Sequence, residues 1–387
     1  MKTLNPAVTA RPTTVFEVMS LLAAEHQAIN LGQGFPDTDG PEDIRARAAE
    51  ICRDGPNQYP SMMGHSALRQ AVAEANRRFY GLHVDWKSQV LVTSGATEAL
   101  AAAAMAFLLP GEEAVVIEPA YDAYFEIIAM AGATLRRVPL TPPDWRLNEA
   151  ALRAAFGPNT KLVFLNSPLN PIGKVFSPED LALVAQLCVE HDAIAVCDEV
   201  YEHLVFDGRS HVPLITLPGM AERCVRIGSA GKTFSLTGWK VGYTTGPAPL
   251  IRAMAQAHQF LTFTTPPSLQ IAIAYGLAKD DSYFAGLSLQ MQAKRDRLAE
   301  GLDRAGFDVL PGEGTYFLTA DIARLSDASD VEFCKTITRE ARVAAIPISA
   351  FYHPDSTPPQ NFVRFCFAKQ DDVLDEAAAR LKGWTGA

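Results

Sequence analysis

The sequence predicts an α/β protein, in which a large domain with a seven-stranded, mainly parallel sheet between helices is followed by a smaller α+β domain. Three observations carry this. Short apolar runs suited to buried strands alternate with amphipathic or alanine-rich helical segments through the middle of the chain. Near residue 281 that alternation gives way to one long polar helix pattern, after which strands and helices mix differently. Finally, 387 residues at roughly 150 per domain allow two or three domains, and 48% hydrophobic with 20% charged residues suits a chain that folds around a core.

Taken in order, the runs 90–93, 114–117, 135–138, 162–165, 194–197, 225–227 and 241–244 read as the seven strands. The segments 98–107, 178–190 and 249–261 read as covering helices. A helix over 283–305, with Lys294, Arg295, Asp296 and Arg297 on its exposed side, reads as a connector. Beyond it, 307–310, 315–319 and 362–367 read as strands, 331–341 and 371–382 as helices, and the proline-rich stretch 354–359 as a surface loop.

Composition excludes several function classes. With 34 Lys and Arg against 44 Asp and Glu, the net charge of −10 offers no basic face for nucleic acid or an anionic membrane. The longest apolar stretch, 99–109, is about half of the roughly 20 residues that span a bilayer, so no membrane partner is expected. The first 22 residues contain Pro6, Arg11, Pro12 and Glu17 and no secretory apolar block, which predicts a cytoplasmic protein. Six cysteines without a C-x-x-C pair predict reduced, mostly buried thiols. Gly32-Gln-Gly34 lacks the third glycine and the preceding strand of a dinucleotide fingerprint. No P-loop, G-x-S-x-G or H-E-x-x-H is present, so no metal is expected.

The chemistry centres on Ser229-Ala-Gly-Lys232-Thr-Phe-Ser-Leu-Thr-Gly-Trp-Lys240, which begins where the strand 225–227 ends. Ligands of open α/β sheets sit at the carboxyl ends of strands. There, small neighbours, Phe234 and a second cation at Lys240 favour a neutral lysine, which is a nucleophile for carbonyls.

This string resembles the lysine motif of class I and II aminotransferases, the fold-type I enzymes of pyridoxal 5'-phosphate (PLP), whose lysine bonds covalently to the cofactor. The resemblance runs from Asn30-Leu-Gly-Gln-Gly34 to Val363-Arg364-Phe-Cys-Phe and is strongest toward the branch containing methionine, glutamine-phenylpyruvate and kynurenine aminotransferases. It implies residues 1–44 packing with the small domain, a PLP-binding large domain over 45–281, a small domain over 282–387 and a homodimer. The implied catalytic residue is Lys232.

Other residues then acquire expected roles. Asp198, in Cys-Asp-Glu-Val-Tyr201, reads either as a helix cap or, by the resemblance, as the partner that keeps the pyridine nitrogen protonated. Tyr201 and Asn170 would donate to the ring oxygen. Gly95, Ala96 and Thr97 sit between strand and helix, where free N–H groups favour an anion, although Gly95 with Glu98 also reads as simple capping. By the resemblance they cradle the phosphate with Ser229 and Lys240, the latter where many relatives carry arginine.

Tyr121, in Glu118-Pro-Ala-Tyr121-Asp-Ala-Tyr124, matches the aromatic that stacks on the cofactor ring. Tyr59 resembles the tyrosine that reaches a neighbouring subunit's phosphate. Arg364 lies in an apolar strand, where its charge needs either an internal carboxylate or, by the resemblance, the substrate α-carboxylate, with the Gly34 backbone as a second contact. Phe351 and Tyr316 match positions lining the substrate pocket. The implied reaction exchanges an amino group between an amino acid and a 2-oxo acid. A C–S β-lyase shares every cofactor contact, and a PLP-binding regulator without turnover is a third reading.

The segment 258–270 contains no lysine or arginine. Dicarboxylate-specific relatives place an arginine in that stretch. Its absence here predicts neutral apolar or aromatic donors: methionine, phenylalanine, tyrosine, leucine or glutamine.

Overall fold

In the computed structural model, which describes residues 14–385, the strands in chain order are β1 (Ile29–Asn30), β2 (Val90–Thr93), β3 (Glu113–Glu118), β4 (Thr134–Pro139), β5 (Thr160–Asn166), β6 (Ile194–Asp198) and β7 (Cys224–Ser229). They continue with β8 (Gly242–Thr245), β9 (Asp308–Val309), β10 (Phe317–Asp321), β11 (Val343–Ala344), β12 (Ile346–Pro347) and β13 (Phe362–Cys366). The seven predicted runs form one sheet in the order β2-β8-β7-β6-β5-β3-β4, in which β8 is antiparallel to both neighbours and the other pairs are parallel.

The physical basis is burial on both faces. Along β3, Val115 and Ile117 join Leu181, Val184 and Leu187 of the helix Pro178–Glu190, whereas Ala114 and Val116 join Leu100, Ala104 and Met254 on the other side. Strand period two thus divides one apolar run between two cores. At the open edge β4 exposes Thr134, Arg136 and Pro139, residues that discourage pairing with another strand.

The second unit contains the antiparallel sheet β12-β13-β10-β9, packed against the helices Asp330–Glu340 and Asp371–Thr385. β1 pairs in parallel with β11, and Met19 of the helix Val15–Glu25 lies in the same core as Phe333, Ile337 and Leu374. Residues 1–13 of the expected N-terminal segment lie outside the described residues, as do 386 and 387.

Two expectations need correction. On the connector helix Asp281–Arg304, Lys294 and Arg295 do not face solvent freely. Lys294 bonds Asp371 at 2.8 Å, and Arg295 reaches Asp207 at 2.6 Å and the Gly312 carbonyl at 2.7 Å while lying over Phe206. Their long stems lie along protein surface while the charged ends find carboxylates, so a polar face becomes a bridging face. The strand expected over 315–319 begins instead at Phe317, because Thr315 takes a φ of 71°, outside extended geometry.

No helix among the described residues is long and apolar enough to cross a membrane. All six cysteines are free, Cys52 exposed and the others buried.

Candidate active site

A cavity of about 430 Å³ opens at the carboxyl ends of β5, β6 and β7 and at the N-terminus of the helix Gly95–Phe107. It brings together Lys232, Gly95, Ala96, Thr97, Tyr121, Asn170, Asp198, Tyr201, Ser229, Lys240, Gly34 and Arg364. Three predicted residues stand apart. Tyr59 is 81% exposed and packs edge-on against Phe263, outside its own chain's cavity. Phe351 is buried beneath Arg364, with its ring centre 4.8 Å from the guanidinium. Tyr316 hydrogen-bonds through its hydroxyl to the Lys232 carbonyl. Phe351 and Tyr316 therefore support the wall from behind rather than line it; Phe16 and Phe317 supply the aromatic lining there.

Lys232 sits on the one-turn helix Ala230–Thr233 directly after β7. Burial pulls its amine down to about 8, and the Arg364 and Lys240 charges act in the same direction. Its Nζ donates to the Gly34 carbonyl at 3.2 Å and lies over the Tyr201 ring. The Gly34 backbone thus meets Lys232, while Arg364 meets the carbonyl of Gly32.

Asp198 ends β6. Burial raises its carboxyl to about 6 against the opposing bond from Tyr124 Oη, which donates to Oδ2 at 2.6 Å. The other oxygen, Oδ1, is buried without a hydrogen-bond partner among the described residues. Asn166 closes the arrangement by donating to the Asp198 carbonyl at 2.8 Å and accepting from the Asn170 N–H at 2.8 Å. Neither Tyr124 nor Asn166 was singled out by sequence reasoning. Tyr124 lies three residues beyond Tyr121, and the two rings meet edge-on at 5.8 Å, a short-range signal, whereas the register that sets Asn166 beside Asp198 exists only once β5 and β6 pair.

At the opposite end, Gly95 takes a φ of 79°, and a Cβ there would lie 3.2 Å from Lys240 Nζ. A Cβ on Gly242 would meet the Gly95 carbonyl carbon at 2.6 Å, so both glycines permit this close approach. The capping reading of Glu98 also holds: it accepts from the Ser94 N–H and pairs with the buried His258 at 2.5 Å. Gly95, Ala96 and Thr97, the first turn of that helix, line the cavity together with Lys240, and the unpaired N–H groups of a helix start favour an anion.

Arg364 on β13 forms no ion pair among the described residues. Nη1 donates to Asn170 Oδ1 at 2.9 Å and Nη2 to the Gly32 carbonyl at 2.7 Å, while Nε is buried without a partner. Burial lowers this guanidinium to about 10. The internal salt bridge considered for it is absent, and its bond to Asn170 Oδ1 leaves that amide's N–H₂ end as the available donor.

The residues fit PLP: a cation and free N–H groups for a phosphate, an unpartnered buried carboxylate oxygen for a protonated ring nitrogen, and a depressed amine between them. When bound, the cofactor supplies a ring that accepts the electrons released at Cα.

Comparison with known proteins agrees. The family model "Aminotransferase class I and II" matches residues 26–381. The chain is 42% identical over 370 residues to the methionine aminotransferase of Escherichia coli K12, covering 96% of this chain and 95% of that one. The E. coli YbdL structure, described as having a methionine aminotransferase function, superposes with a TM-score of 0.95 at 40% identity, covering 99% and 100% of the two chains. The probable N-succinyldiaminopimelate aminotransferase DapC of Mycobacterium tuberculosis is 45% identical over 378 residues, 95% of each chain. The structure of N-succinyldiaminopimelate aminotransferase from that organism gives a TM-score of 0.95, covering 99% of this chain and 100% of that one. With family, fold and the fit of the cavity in agreement, this chain belongs to the class I and II aminotransferases, PLP-dependent enzymes of fold type I.

Proposed function

We propose that this aminotransferase takes its amino group from a neutral apolar or aromatic L-amino acid, with methionine, phenylalanine, tyrosine, leucine and glutamine as donors, and passes it to a 2-oxo acid. The observation that carries this reading is the cation inventory. Among the described residues Arg364 has no carboxylate partner, and it suits the substrate α-carboxylate, while the segment 258–270 contributes no lysine or arginine for a distal one. The likeness to the E. coli methionine aminotransferase supports it.

In this reading Lys232 Nζ, whose amine burial brings down to about 8 so that the free base is within reach near neutral pH, moves the proton at Cα. Arg364 and Asn170 orient the substrate carboxylate. Asp198 would face the ring nitrogen and Tyr201 the ring oxygen, and Tyr121 would cover the ring. Gly95, Ala96, Thr97, Ser229 and Lys240 would hold the phosphate.

Tyr59 belongs to an exposed apolar cluster with Phe260, at 86% exposure, Leu261 and Phe263. We read that cluster as a homodimer surface through which Tyr59 reaches the partner's site, and the six free thiols as those of a cytoplasmic protein. Tyr59→Phe should weaken PLP retention, and Tyr59→Phe and Lys232→Ala chains mixed together should regain one functional site per dimer if the sites are shared.

The substrate reading is tested by kcat/KM for methionine, phenylalanine, glutamine, aspartate and N-succinyldiaminopimelate under one set of conditions. A neutral donor should lead; aspartate leading would overturn it. N-succinyldiaminopimelate is included because of the 45% identity to DapC.

A further inference from the structure

Five charged side chains line the cavity: Asp122, Asp198, Lys232, Lys240 and Arg364. Four have tasks set by what they face. Asp122 is left over. It stands at the start of the helix Ala123–Met130 with its own backbone already helical, at φ −54° and ψ −30°, and makes no cap bond farther into the first turn, its carboxylate being held only by the adjacent N–H groups of Asp122 and Ala123. It forms no ion pair among the described residues either. A half-buried carboxylate that lines a ligand cavity and has no ion-pair partner among the described residues is available to a ligand.

Its place in the cavity follows from its neighbours. Two residues upstream, the Ala120 N–H donates to the Phe351 carbonyl at 2.8 Å, and the Phe351 ring lies against Arg364. The turn carrying Asp122 therefore abuts the loop beneath Arg364. The charges of Asp122 and Arg364 each favour the other's ionised form, as expected for groups that share one space.

We infer that Asp122 is a specificity-determining residue, a fixed negative charge near the substrate end that excludes side chains ending in a carboxylate and accepts a hydrogen bond from neutral side chains that carry a donor, such as an amide or a phenol. The lack of a lysine or arginine in 258–270 withholds attraction from an acidic substrate, and Asp122 adds repulsion. The inference rests on the substrate reading above but makes a separate claim, because selectivity could arise from either device alone.

The test compares wild-type holoenzyme with Asp122→Asn, which preserves shape and capping ability, and with Asp122→Ser as a second cap-competent variant. The kcat/KM ratio of aspartate to methionine should rise at least about tenfold in both, since a like charge at close range in a partly desolvated site opposes binding by that order. The ratio of glutamine to methionine should fall. An equilibrium readout without turnover accompanies this: by calorimetry, succinate should gain at least about tenfold in affinity relative to 3-phenylpropionate. Unchanged ratios in both measurements would overturn the inference. So would a parallel loss for every substrate together with a lower thermal midpoint, which would make Asp122 a residue of the helix start. Wild-type preference for aspartate would instead break the substrate reading, and the variants would still report whether the Asp122 charge discriminates.

Discussion

Arg226 on β7 and Arg364 on β13 are both buried strand arginines, exposed at 5% and 2%. Arg226 meets Glu199 at 2.6 Å and Glu202 at 2.9 Å and bonds to Asn76, while Tyr80 donates to Glu202 and His211 contacts Glu199. Arg364 meets a carbonyl, an amide oxygen and the Phe317 ring, 3.9 Å from its centre, but no carboxylate among the described residues. Burial disfavours both charges. Around Arg226 the two glutamates outweigh it and hold the guanidinium above its ordinary value, whereas Arg364 falls to about 10. A buried charge with its partners in place supports the fold; one without a carboxylate contact has the character expected of a binding group, the role proposed above for Arg364.

The largest expected effect asks whether the cavity beside Arg364 is where the chemistry occurs. Lys232→Ala should abolish transamination and leave no borohydride-reducible bond between protein and cofactor. Reduction that still labels another lysine would move the reaction elsewhere. Next comes Arg364→Met, which should lower kcat/KM at least about 10²-fold through loss of a buried charge contact to substrate. Its thermal midpoint should hold or rise, since an unpaired buried charge is removed. A large stability loss would reveal a structural role and erase the contrast between the arginines.

Arg226→Met should do the reverse. Stranding Glu199 and Glu202 inside the protein costs about 3–5 kcal/mol, readable by urea denaturation, and restoring the charge with Arg226→Lys should recover part of it. Stability equal to wild type would show that the network contributes nothing net.

The smallest effect is a pH dependence of the cofactor-free protein. The Lys232 amine lies at about 8 when folded against an ordinary value of 10.5. The unfolded chain therefore binds this proton more tightly, and the contribution to stability rises as pH climbs through that interval. Lys232→Met should lack the rise, so its stability advantage over wild type should shrink between pH 8 and 10; parallel curves would contradict the depressed amine.

Much of this was legible in the residues alone. The seven buried runs, the lysine string after a strand and the carboxylate at the end of another are local patterns, and backbone period and burial translate them into elements without reference to distant residues. The resemblance carried by those motifs then named the family and the cofactor.

Tertiary structure decided the rest, because the deciding contacts join residues far apart in the chain. Arg364 and Asn170 are neighbours only when the small sheet docks over the cavity, and Asp198 gains Asn166 through the β5–β6 register. Phe351 and Tyr316 share their aromatic character with Phe16 and Phe317, yet packing turned the first pair behind the wall and the second into it. Arg226 and Arg364 sit in equally apolar strands, and nothing in either local pattern says which will find glutamates. Charge and period are properties of a segment; the partner of a buried charge is a property of the whole fold.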